Sequence, residues 1–105
     1  MFTLQRGWQM LVELLKIDVV SAQEAHRSVK IARIMINPSH VISIVEDNLQ
    51  YHHLKESLME AGVHQDLSIS EVKVYNGSQA ETLLVLGTPR SIRERLDGKK
   101  QLLRG

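Results

Sequence analysis

Four residues carry the side chains best suited to holding a cation: His52, His53, Glu56 and His64. His52 and Glu56 stand at i, i+4, so a helix would set imidazole and carboxylate on one face, a donor pair suited to a divalent metal such as zinc. Two donors do not complete a metal shell, however. Polar residues opposite a Leu54/Leu58 stripe are also what a solvated helix face requires. The solvated face is the expectation here, with metal binding the alternative.

A second set is basic. Arg90, Arg93, Arg95, Lys99, Lys100 and Arg104 share the last stretch of chain with only Glu94 and Asp97. Such a segment suits phosphate or an acidic partner, although a short charge run is ordinarily a solvated tail. Nucleic-acid binding through these six is therefore a second reading. Few aromatic side chains are available to stack on bases: Phe2, Trp8, Tyr51 and Tyr75.

The motifs of common catalysts are missing. There is no Gly-rich loop after a strand, no phosphate-loop lysine, no G-x-S-x-G and no H-E-x-x-H. Glu46-Asp47 is better read as helix capping than as an acid–base pair. No catalytic residue and no cofactor is expected. The chain has no cysteine, which rules out disulfides and thiolate chemistry and fits a cytoplasmic protein. The opening Met-Phe-Thr-Leu-Gln-Arg-Gly lacks the pattern of a secretory leader, and no stretch approaches the ~20 apolar residues of a membrane span. At 105 residues, 43% apolar and 24% charged, one soluble domain is expected over residues 1–98, with a basic C-terminal tail over 99–105.

The elements follow from periodicity and punctuation. Trp8–Ile17 fits either a helical stripe or a strand face, and the β-branched residues that follow favour the strand. Ser21–Ser28 is polar and reads as a loop, although Ser21 and Glu24 have capping-box spacing. Val29–Ile36 alternates as a strand, Asn37-Pro38-Ser39 breaks it, and Val41–Val45 resumes it. Asp47 then caps a helix over Asn48–Ala61 that stops at Gly62. Val72–Tyr75 and Glu81–Leu86 read as a hairpin about an Asn76-Gly77 turn. Thr88-Pro89 opens a short helix, ending before Gly98, that buries Ile92 and Leu96. The sum is an α+β domain: an antiparallel sheet of about five strands, one covering helix and a short C-terminal helix. Strands apolar on both faces need more cover than two short helices provide, so self-association through a sheet edge or an apolar face is expected.

Ile36-Asn37-Pro38-Ser39-His40-Val41-Ile42-Ser43-Ile44 resembles the I-N-x-x-x-I-x-x-I unit of small flagellar-operon proteins of the FlbD/SwrD type. Val72–Gly77 and Thr88–Leu96 occupy the places of that family's closing strand and capped helix. Ile42-Ser43-Ile44-Val45, Leu54–Gly62 and Ile92–Leu96 are also similar in order to Rem-type extracellular-matrix regulators. The first resemblance implies an accessory or regulatory protein without catalysis. The second implies DNA binding by a ring-forming oligomer through arginines in a strand and turn region, where this chain has Asn76-Gly77-Ser78-Gln79. The resulting expectation is a small non-catalytic regulatory or interaction module that binds a protein partner or itself. A nucleic-acid-binding regulator and a metal-binding protein are the alternatives.

Overall fold

The computed structural model describes residues 11–23, 26–63 and 68–104, with side chains for 11–20, 28–63 and 68–98. Five strands form one antiparallel sheet: β1 (Val12–Gln23), β2 (His26–Ile36), β3 (Val41–Glu46), β4 (Ile69–Asn76) and β5 (Gln79–Leu86), in the order β2-β1-β5-β4-β3. Helix α1 (Asn48–Glu60) joins β3 to β4, and α2 (Pro89–Arg104) follows β5. This is the expected α+β architecture.

The edge strands β2 and β3 are consecutive in the chain, joined only through Asn37 and a tight 3-10 turn at Pro38–His40. A flat five-stranded sheet would hold its edges ~19 Å apart, from a spacing of ~4.8 Å per strand. A link rising only ~2 Å per residue in its turn falls well short of that, so the sheet curls and brings the end of β2 toward the start of β3. Asn37 holds the turn by accepting from the Ser39 N–H at 3.0 Å and the Ser39 hydroxyl at 2.6 Å. Pro38 is buried beneath it.

Alternation along the strands divides the core between two faces. On one, Val12, Leu14, Ile36, Val72, Val74, Leu83 and Val85 pack with Ile92 and Leu96 of α2. On the other, Ile17 and Ile69 pack with Leu54 and Leu58 of α1, flanked by Val29, Ile31, Leu84 and Leu86. The unbroken apolar run Leu83–Leu86 is explained: its residues serve the two faces in turn.

Local signals place the helices. The Asp47 carboxylate accepts from the Gln50 N–H at 3.0 Å and starts α1. At its other end Gly62 adopts φ +94°, while the Gly62 N–H reaches the Met59 carbonyl and the Val63 N–H that of Leu58. These two bonds make a Schellman stop. Thr88 caps α2 through the Ser91 N–H at 3.0 Å.

Three expectations are corrected. Ser21–Ser28 is mostly strand rather than loop, because β1 and β2 stay paired out to Gln23 and His26. Val19 and Val20 are exposed at that end of the hairpin, so backbone pairing, and no apolar alternation, carries the ladder there. The β4–β5 turn is Gly77-Ser78 rather than Asn76-Gly77, with Asn76 opposite Gln79 and Gly77 at φ +67°. This register sets Leu83 across from Val72; the expected turn would have put Glu81 there. Finally, α2 does not end before Gly98 but runs through it to Arg104. Glycine stops a helix where the chain must turn left-handed; here Lys99–Arg104 instead continue with good helix formers. The stretch expected as a basic tail is thus helical up to Arg104. Trp8–Met10, at the start of the ambiguous N-terminal stretch, and Glu24 of the capping-box pair lie outside the described residues; Val12–Ile17 is strand, as favoured.

Candidate functional site

The two sheet edges differ in chemistry. β2 displays Lys30 and Arg33, both exposed, and charged side chains on an edge discourage a further strand from pairing. β3 has no charge from Val41 to Val45 and ends in Glu46. Ile42 and Val45 are 53% and 58% exposed, although both are large and apolar. A register shift between Val41 and Ser43 marks a bulge, the one protective device in this strand.

An open groove of about 590 Å³ runs beside β3, walled on one side by Val41–Ile44 and on the other by Pro89, Arg90 and Arg93 of α2. Four consecutive strand residues point alternately to opposite faces, so a groove touching all four follows the strand's edge. No acid lines it. Arg90 and Arg93 bond along their own helix, to Glu94 at 3.9 Å and Asp97 at 3.5 Å, with highly exposed side chains. Exposed pairs of this kind hold by ~0–1 kcal/mol, so both guanidiniums are free to turn toward an incoming carboxylate.

The far end of β3 is tied down by a carboxyl pair. The Asp47 N–H donates to the Ile69 carbonyl at 2.8 Å, extending the β3–β4 ladder. Glu71, on β4, hydrogen-bonds through its carboxyl to that of Asp47. This bond and the Gln50 N–H hold Asp47 below its usual range. The same bond, with burial and the nearby Asp47 charge, pushes Glu71 up. The shared bond thus favours the proton on Glu71 and the charge on Asp47, the form that caps α1.

Two smaller recesses are already satisfied. One of about 320 Å³ lies near the 3-10 turn, but its Lys16 pairs with Asp18 at 3.2 Å and its Asn76 with Glu81 at 3.3 Å. The other, about 230 Å³ between Leu14, Leu86 and Ile92, is a packing seam beneath α2.

The residues singled out from sequence fall as follows. His52, His53 and Glu56 are exposed on α1, where the Tyr51 ring meets His52 edge-on at 6.1 Å; His64 lies outside the described residues. Among the described residues no three His, Asp or Glu side chains come together as a metal shell. Arg90, Arg93 and Arg95 are exposed on α2, and Arg95 donates to the Glu13 carbonyl at 3.2 Å. The side chains of Lys99, Lys100 and Arg104 are outside the described residues. Sequence reasoning did not single out Ile42 and Val45 as surface residues. The signal was available: an uncharged Val-Ile-Ser-Ile-Val strand, set against a Lys- and Arg-bearing one.

Among the described residues no helix is long and apolar enough to cross a membrane. Compared with protein-family models, curated proteins and solved structures, the chain matches none.

Proposed function

We propose that this chain is a non-catalytic interaction module that binds an extended protein segment by adding it as a strand to the free edge of β3. The groove between β3 and the first turns of α2 carries this reading. Strand addition draws affinity from main-chain hydrogen bonds and specificity from alternate side chains. Here the uncharged edge offers the former; exposed Ile42 and Val45, with Arg90 and Arg93 opposite, offer the latter. The FlbD/SwrD-type resemblance, which implies an accessory protein without catalysis, points the same way.

A selection from a library of extended peptides, run against the native chain and against Ile42→Lys, tests the reading. Ile42 is half exposed, so lysine there leaves the fold intact while placing a charge on the edge. Peptides rich in β-branched residues with a carboxylate, bound by the native chain and lost by at least tenfold in Ile42→Lys, are the expected result. Equal binding by both proteins would move the site away from β3. Affinity for mixed DNA or RNA fragments that falls steeply with salt, and falls again on Arg90→Ala and Arg93→Ala, would replace this reading with the nucleic-acid one.

A further inference from the structure

We infer that the segment taken up by the β3 groove is β3 of a second copy of this chain, antiparallel about a twofold axis, so that two curled sheets join through their uncharged edges. The inference rests on the strand-addition reading and adds the identity of the occupant. It comes from self-complementarity. A twofold contact uses the same patch on both copies, so each feature must meet its own complement. β3 reads Val41-Ile42-Ser43-Ile44-Val45-Glu46. Setting Ser43 opposite Ser43 of the second copy keeps facing side chains on one side of the joined sheet and brings Ile42 opposite Ile44. The exposed Ile42 of each copy is then covered by the half-buried Ile44 of the other.

The charges fit the same register. Glu46 is the acid nearest the groove on this strand, and it is exposed. Turned by the twofold axis it arrives level with His40, next to Val41, which lines the groove with Arg90 and Arg93. The groove has arginines and no acid, whereas the strand that enters has an acid and no arginine. β2 lacks this complementarity, because it carries Lys30 and Arg33 and no acid to meet them.

Sedimentation equilibrium on the full chain tests the assignment, with folding of each variant checked by circular dichroism. The native chain is expected to be a dimer in the micromolar range. Ile42→Lys and Glu46→Arg should each weaken it about tenfold or more, since a twofold axis counts each change twice. Combining Glu46→Arg with Arg90→Glu and Arg93→Glu should restore much of the loss. That recovery is the signature of the pairing, because a merely structural role for Glu46 would not produce it. A native monomer at all concentrations, or a dimer indifferent to these changes, would overturn the inference. If the monomer still selects peptides that Ile42→Lys loses, only the second copy is wrong. If it selects none, strand addition at β3 falls as well.

Discussion

Asp47 closes the β3–β4 ladder with its N–H and caps α1 with its carboxylate, and its hydrogen bond to Glu71 lowers Asp47 and raises Glu71. The pair makes stability depend on pH in both directions. Glu71 is raised, so its contribution is complete below its unfolded pKa and is lost as pH rises through the folded one. Asp47 is lowered, so its contribution is present above its unfolded pKa and is lost as pH falls through the folded one. Urea midpoints for the native chain should therefore decline as pH rises above the ordinary glutamate range and Glu71 ionises beside Asp47. Glu71→Gln, which keeps a donor and cannot ionise, should flatten that limb. A different constraint acts at Gly87, where φ is +129° and a Cβ would meet the Ser91 hydroxyl oxygen at 3.0 Å. Gly87→Ala is expected to cost ~1–3 kcal/mol in chemical denaturation. Asp47's capping role was legible from sequence in its spacing to Gln50; Glu71's upward shift was not, because its partner lies on another element.

At the scale of elements, α2 buries only Ile92 and Leu96 among its described side chains, yet it forms one wall of the groove. Its continuation past Gly98 allows a direct check. Gly98 is helical, and an added Cβ would meet nothing within 4 Å. Gly98→Ala should therefore stabilise the protein by ~0.5–1 kcal/mol in thermal melts, whereas a true helix stop at Gly98 would make the same change destabilising. Helix α1 does the opposite work, seating Leu54 and Leu58, 0% and 2% exposed, on the second face. Leu54→Ala is expected to cost ~2–5 kcal/mol in urea unfolding. His52, His53 and Glu56 on the exposed side of the same helix should tolerate alanine within ~0.5 kcal/mol.

For the molecule as a whole, curling brings the edge strands together at the 3-10 turn and lets the two helices cover opposite faces. Cover is nonetheless incomplete: Met35, Ile42, Val45 and Tyr75 each remain more than half exposed. Among the described residues only β3 combines such exposure with an uncharged edge and an open groove. If association proceeds through that edge, the melting temperature of the native chain should rise with protein concentration, because dimer formation draws on the folded state alone. Ile42→Lys should remove that dependence while leaving the melting temperature of the dilute protein nearly unchanged.

Local order along the chain was enough to identify most of the elements. Asp47, Gly62, Thr88 and Pro89 act within a turn of their own positions, so the starts and stops of α1 and the start of α2 could be read from spacing alone. The last four strands and the two-faced apolar pattern were equally local, since alternation is a property of adjacent residues, whereas Trp8–Ile17 fits helix and strand alike. Pairing is not local. The Gly77-Ser78 turn was chosen because Leu83 had to meet Val72 across the sheet, and the β1–β2 ladder reached Gln23 and His26 without any apolar signal. The same holds for the groove. Arg90 and Arg93 read as part of a basic run until the fold set them against Val41–Ile44, more than forty residues earlier in the chain. Which edge is free, and what faces it, depends on contacts between distant segments, and only the tertiary structure decides them.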